Sequence, residues 1–386
     1  MRCDHAASRF VVLYAAMYAA YGVASPFLPA FLSARGLGPG ELGLLLAAST
    51  AVRLLSSPLA GRIGDLVRGL RRVLVVCIAL ACAATPGYLA AHGFWLLLLV
   101  ALLHAAALAP MTVLADALAL GASSAARNAG SAGFEYGWVR GAGSAAFIAG
   151  TLLAGQLVGA WSLDAIVWLQ AMLLGAAALA ATRVPEFVHR RAPAAARRPG
   201  AGVLLLLRLA PFRNVVIAAA LVLGSHAMHD AFAMVRWRAA GIGSVTASVL
   251  WSEAVAAEVL VFLLAGPALV TRLTPAGALT LAALAGVLRW AVMAQSSGVA
   301  TLALVQPLHG LTFALLHLAC MRLIARHVPS GLEGTAQAIY GTVGIGAATA
   351  LLTLAAGALY ARFGAHGFWA MAALCALALL PIRRLA

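Results

Sequence analysis

The chain has 386 residues, 64% of them hydrophobic and only 10% charged, with a mean hydropathy of +0.99. A soluble domain averages roughly 45–50% apolar and about 25% charged residues, so a water-soluble fold is excluded and the chain reads as a polytopic helical membrane protein. All 26 basic residues are Arg, which removes the lysine of a Walker A loop and any Schiff-base lysine, and the net charge of +15 reads as Arg held on cytoplasmic loops, not as a nucleic-acid footprint.

Twelve apolar runs follow in order, at 9–33, 41–61, 73–91, 94–118, 137–160, 163–183, 213–235, 246–270, 276–296, 299–324, 335–360 and 365–382. The charged start (Arg2, Asp4, His5, Arg9) leads into the first run with no small-residue cleavage site, so that run is expected to be a retained helix and not a signal peptide. With the N-terminus inside, four arginines fall outside: Arg35, Arg236, Arg238 and Arg362. Four more, Arg53, Arg140, Arg289 and Arg322, fall within or at the edge of a run, and the remaining 18 of the 26 are inside. The asymmetry predicts that both termini are cytoplasmic. Residues 184–212 form the longest polar interruption, rich in Arg, Pro and Ala. They read as a basic cytoplasmic linker between an N-terminal six-helix bundle (1–183) and a C-terminal one (213–386). Five cysteines lack metal-ligand spacing and read as packing residues.

The halves repeat each other at an offset near 205 residues. Tyr21 pairs with His226, Phe27 with Phe232, Gly36 with Gly241, Gly38 with Gly243, Gly61 with Gly266, and Leu103-His104 with Leu308-His309. Two like-oriented halves around a midplane site are what a secondary transporter requires.

Charges inside spans are costly and mark function. At about 1.5 Å per residue, Glu258 lies near mid-membrane in the eighth run and Arg53 occupies the repeat-related place in the second. His309 and His104 lie near the same depth, as do Tyr21 and His226. Glu258 is expected to carry the coupling proton, since a carboxylate that alternates between apolar and cationic surroundings takes up and releases a proton; His309 and Asp230 are the further candidates. A fixed Glu258–Arg289 pair tying two helices is the alternative. Arg53 or Arg289 is expected to meet an anionic group of the solute, Tyr21, Phe27, Trp251 and Phe313 to wall the site, and His226 and Gln306 to bind the solute with them. Asp116 at the end of the fourth run and Arg140 at the start of the fifth are expected to pair as a cytoplasmic gate, with Arg322 in the matching role. His226, His229 and Asp230 share a helix face, but no further ligand cluster accompanies them and no metal or cofactor is expected. The glycines at 137–159 read as a close-packing surface.

The loop GRIGDLVRGLRR, with Gly61, Asp65, Arg68, Arg71 and Arg72, resembles the signature loop of the major facilitator superfamily, with Leu66 in place of the usual basic residue. The segments YGVASPFLPAF (21–31), YGWVRGAGSAAF (136–147), LWSEAVAAEVLVF (250–262), GVLRWAVM (286–293) and VQPLHGLTFALLHLACMRLIAR (305–326) look like the 3-phenylpropionate permease branch, related to nucleoside and lactose proton symporters. The resemblance implies a twelve-helix, all-α fold in two pseudo-symmetric bundles. It implies proton symport of a small organic solute such as an aromatic carboxylate across the bacterial inner membrane by a monomer. Arg53, Glu258, Arg289, Gln306, His309 and His317 match the family pattern, whereas His229, Asp230 and Glu253 do not. Proton-driven export on the same fold, a non-transporting sensor and a membrane-embedded enzyme are the rival readings.

Overall fold

A computed structural model describes residues 2–67, 69–128, 134–186 and 199–385, and the described residues hold helices and no strands. In chain order the first seven helices are α1 (Arg2–Ala34), α2 (Pro39–Leu66), α3 (Leu70–Ala84), α4 (Gly87–Ala90), α5 (Phe94–Asn128), α6 (Tyr136–Ala160) and α7 (Ala165–Ala181). Then come α8 (Pro199–Arg208), α9 (Ala210–Gly224), α10 (Ala227–Ala239), α11 (Ser244–Leu260) and α12 (Gly266–Gln295). The last five are α13 (Val299–Val305), α14 (Leu316–His327), α15 (Glu333–Ile339), α16 (Ala348–Phe363) and α17 (Phe368–Arg383). Wider π-helical turns occupy Val261–Ala265, Gly310–Leu315 and Tyr340–Ala347.

Among the described residues, nine continuous helical stretches are long and apolar enough to cross a bilayer, and Ala165–Ala181 is a shorter apolar helix. Two of the nine, Ser244–Gln295 and Glu333–Arg383, run for 52 and 51 residues. At about 1.5 Å per residue each is more than twice the ~30 Å of bilayer hydrocarbon. Each is also broken near its middle. Thr274 has φ of 63°, and its hydroxyl accepts a hydrogen bond from the Gly277 N–H (3.3 Å), so Thr274 caps a new helix that opens with Pro275. Gly364, at φ 55°, ends α16. The stretches are consistent with the twelve apolar runs, two pairs of which the backbone joins through short kinks.

The chain divides into two compact units. One comprises residues 1–37, 48–192 and 243–248; the other comprises 38–47, 193–242 and 249–386. The main division falls inside the expected linker, of which residues 187–198 lie outside the described residues. The two short transferred pieces begin at positions separated by the repeat offset.

In the first unit α1 packs along α6 and α7, and α3 packs between α5 and α7. Small residues set the α1–α6 approach. A Cβ on Gly22 would lie 2.0 Å from the Phe147 carbonyl oxygen, and one on Gly150 would lie 2.4 Å from that of Ala19. The Thr151 hydroxyl donates to Gly22 O at 2.8 Å. Of the α6 glycines, Gly143 is also tight, against the Tyr18 ring, whereas Gly137 and Gly141 face open space. Phe27, expected as a wall of the site, is fully buried in the core.

In the second unit α12 packs on α17 and α14, α9 on α17, and α10 on α16. The repeat is legible in the backbone. Gly36 and Gly241 both take positive φ, 92° and 80°. Each closes its helix with the same six-to-one hydrogen bond, Leu37 N to Leu32 O (3.3 Å) and Ile242 N to Trp237 O (2.9 Å). Glycine at C′ permits this Schellman closure without a Cβ clash.

Candidate functional site

The chemistry-bearing cluster of the second unit is built where helices are irregular. Pro307 lacks an N–H, so the helix relaxes into a turn after Val305, with His309 N bonded to Gln306 O (3.0 Å) and Gly310 N to Pro307 O (3.0 Å). The π-helical turn Gly310–Leu315 follows at once. Such turns are frequent at functional positions because they re-aim side chains. A Cβ on Gly310 would lie only 2.6 Å from the Ala257 carbonyl oxygen. The missing side chain therefore brings His309 against Glu258, the residue after Ala257. A second π-helical turn, Val261–Ala265, begins three residues beyond Glu258.

The resulting string is continuous. Arg289 is fully buried. Its Nη2 donates to Gln306 Oε1 at 2.6 Å and its Nη1 lies 3.0 Å from His309 Nδ1. A guanidinium N–H donates only, so His309 Nδ1 accepts and the neutral ring carries its proton on Nε2. That nitrogen lies 3.3 Å from Glu258 Oε2. Arg289 thus selects the tautomer through which His309 donates to the carboxylate. Aromatic packing fixes the imidazole: Phe313 is stacked on it at 5.5 Å, and His226 lies 5.0 Å away, itself 5.3 Å from Trp290. Trp290 is anchored by its indole N–H on Ser225 Oγ (2.8 Å). His229 stacks on Trp251 at 4.9 Å and lies 3.3 Å from Asp230 Oδ1 through its Nδ1. Asp230 sits within electrostatic reach of His226, His309 and Arg289.

Phe27 aside, the residues expected to bind the solute separate into two groups. Arg53 is exposed, and Tyr21 and Phe313 keep accessible surface. Arg53 acts electrostatically on Tyr21, Tyr88 and His104. Arg289, Gln306, His226 and Trp251 are buried and present almost no surface to a solute in this conformation. Arg289, Gln306 and His226 pack around His309, and Trp251 stacks on His229. His104, the repeat partner of His309, faces the Tyr88 hydroxyl with its Nδ1 at 3.4 Å. His317 packs between helices, with Nδ1 3.2 Å from the Tyr340 hydroxyl.

The first unit has its own polar cluster. Asp116 does not end its helix, because α5 runs on to Asn128. The Ala- and Leu-rich sequence that follows favours helix, and the carboxylate is satisfied in place. Tyr14 donates its hydroxyl hydrogen to Asp116, and Arg140 lies 3.6 Å from the same carboxylate. Arg140 also donates to the Tyr18 hydroxyl. Arg322, expected in the matching role, instead donates to the Thr271 hydroxyl at 3.0 Å. In the loop after α2, Asp65 is exposed in the last turn of the helix and Arg68 lies outside the described residues. Gly61 faces open space, whereas a Cβ on Gly64 would lie 2.6 Å from Leu70 Cδ2. Glu186 carries a contact that sequence reading missed: it accepts from the Arg71 backbone N–H (3.1 Å) and lies 3.6 Å from the Arg71 guanidinium. A lone Glu after Pro185 gave no signal of that pairing.

A polytopic helical bundle with an ionisable string in its interior calls for comparison with known transporters, and residues 8–371 match the MFS_1 like family. The chain belongs to that family. Its relatives include the "Probable 3-phenylpropionic acid transporter" of Escherichia coli (strain K12), 32% identical over 362 residues, covering 93% of this chain and 92% of the relative. The maltose permease of Geobacillus stearothermophilus is 26% identical over 367 residues, covering 95% and 91%. Among solved structures, a mutant of the nucleoside transporter NupG superposes with a TM-score of 0.87 at 15% identity, covering 98% of this chain and 99% of that one. That likeness concerns the fold. As an MFS_1 like member the chain is a multi-pass membrane transporter and not an enzyme.

Proposed function

We propose that this transporter is a proton-coupled symporter that takes up a small organic solute, in the class of aromatic carboxylates such as 3-phenylpropionate, by alternating access. It would act in the bacterial inner membrane as a monomer, with both termini cytoplasmic. The observation that carries the reading is the string Gln306–Arg289–His309–Glu258, whose hydrogen-bond polarity ends on one partly exposed carboxylate. While ionised, Glu258 accepts from His309 Nε2 and balances the buried charge of Arg289. A proton on Glu258 removes that balance, so the state of the carboxylate biases the packing between α11, α12 and the Gly310–Leu315 turn. Coupling requires that solute affinity differ between those two states. Arg53, the exposed cation, is the residue assigned to a solute carboxylate, with Tyr21 and Phe313 as partly exposed aromatic surface. The Asp116–Arg140 pair is assigned to the gate, together with Gly61, Asp65 and Arg68 of the signature loop. The relationship to a 3-phenylpropionic acid transporter supports the solute class.

Proteoliposomes containing a pH dye, challenged with 3-phenylpropionate, test the reading. Solute-dependent proton entry is expected from the wild type. Glu258→Gln should lose uphill accumulation and retain counterflow exchange, and full accumulation by that variant would reject Glu258 as the proton carrier.

A further inference from the structure

The cluster around Arg289 contains one carboxylate that the proton-carrying string does not use. Asp230 lies on α10, one turn after His226. Its side chain is 57% exposed, and it acts electrostatically on His226, His309 and Arg289. The groups behind it are held still. His229 bonds to Asp230 through Nδ1 and is packed among the rings of Trp237, Trp251 and Trp290. His226 and His229 are at least nine-tenths buried, and the Nε2 atom of each has no hydrogen-bond partner.

The charges of this cluster divide by accessibility. Its cation, Arg289, is fully buried and spends both terminal nitrogens on Gln306 and His309. Its two carboxylates, Asp230 and Glu258, have 57% and 26% of their side-chain surface accessible. The most accessible polar groups of the cluster are therefore its two carboxylates, which are hydrogen-bond acceptors. An ionised carboxylate accepts only, and a solute carboxylate brought against it meets like charge.

We propose that Asp230 forms an acceptor subsite that selects solutes bearing a hydrogen-bond donor, a hydroxyl or an ammonium group. The transported compound is then an aromatic carboxylate with such a donor elsewhere on its skeleton, and unsubstituted 3-phenylpropionate is a weaker ligand. This rests on the solute class given above, not on the identity of the proton carrier. A hydrogen bond to a charged group contributes about 1.5–3 kcal/mol, a factor of roughly 10 to 150 in affinity.

The test is equilibrium binding to the purified full-length protein without any ion gradient, read by calorimetry and by ligand-induced thermal stabilisation. The probes are 3-phenylpropionate, its ring-hydroxylated analogue 3-(3-hydroxyphenyl)propionate, and its amino analogue phenylalanine. At least one donor-bearing probe is expected to bind at least ~10-fold more tightly than 3-phenylpropionate. In Asp230→Asn, whose amide keeps the shape and one acceptor but loses the charge, that ratio should fall below threefold, and Asp230→Glu should restore part of it. The melting temperature of each ligand-free variant shows that the comparison is between folded proteins. Equal or tighter binding of 3-phenylpropionate overturns the subsite while the proposed solute class stands. Binding of no probe overturns both. A donor preference that survives in Asp230→Asn overturns the assignment to Asp230. A donor preference lost in Asp230→Asn supports the subsite even where no proton movement accompanies transport.

Discussion

Replacing Gly310 by Ala tests whether the approach of His309 to Glu258 carries coupling. The added Cβ would lie 2.6 Å from Ala257 O, 2.9 Å from Ala257 C and 2.9 Å from Val261 Cγ2. Two of these neighbours are backbone atoms, which cannot rotate away. Ordinary contact begins near 3.4 Å, so α11 and the Gly310–Leu315 turn must separate by roughly 0.8 Å. The same separation carries the His309–Glu258 contact from 3.3 Å to about 4 Å, beyond hydrogen-bonding range. Overpacking of this kind costs about 1–3 kcal/mol, a few degrees in melting temperature for a unit of this size, so the variant should fold. The assay compares uphill accumulation with counterflow exchange in proteoliposomes. Accumulation is expected to fall at least tenfold while exchange persists. Wild-type accumulation by a folded Gly310→Ala protein would refute the claim that this contact is needed for coupling.

Further expectations follow from the same geometry. Arg289→Gln leaves the His309 and Gln306 acceptors without their donor and should lower stability by about 2–4 kcal/mol, read as a thermal shift; Arg289→Lys should not restore coupling, because one ammonium cannot reproduce the guanidinium fork. Initial uptake by the wild type should slow as external pH rises and Glu258 is loaded less often. Glu258→Gln should flatten that profile, and a wild-type rate independent of external pH would count against proton loading. Gly36→Ala and Gly241→Ala each force a Cβ into positive φ and should each cost about 1 kcal/mol; equal thermal shifts are expected because both helices close by the same hydrogen bond.

The sequence by itself determined the class, the runs and the repeat. The bilayer requires about 20 apolar residues per crossing, and a twofold internal offset survives in any sequence that codes two copies of one bundle. Gly36 and Gly241 were recognisable as a pair before their shared φ sign was known. Depth was legible too, because rise per residue is constant, and it put Glu258, His309 and His226 at one level. Direction around the helix axis was not legible. In so apolar a sequence nearly every face is hydrophobic, so no periodic stripe says which side chain meets a solute and which is sealed in. Only the tertiary structure decided that Arg289 is buried, that Phe27 is core, that Asp116 lies inside a longer helix and that Asp230 is accessible. The π-helical turns escaped the sequence for the same reason. They rotate the residues around them by a fraction of a turn, and whether a backbone adopts that rotation depends on what packs against it. At Gly310 the neighbour is the carbonyl of Ala257, a contact made by two helices far apart in the chain, and it is what joins a histidine and a glutamate into one string.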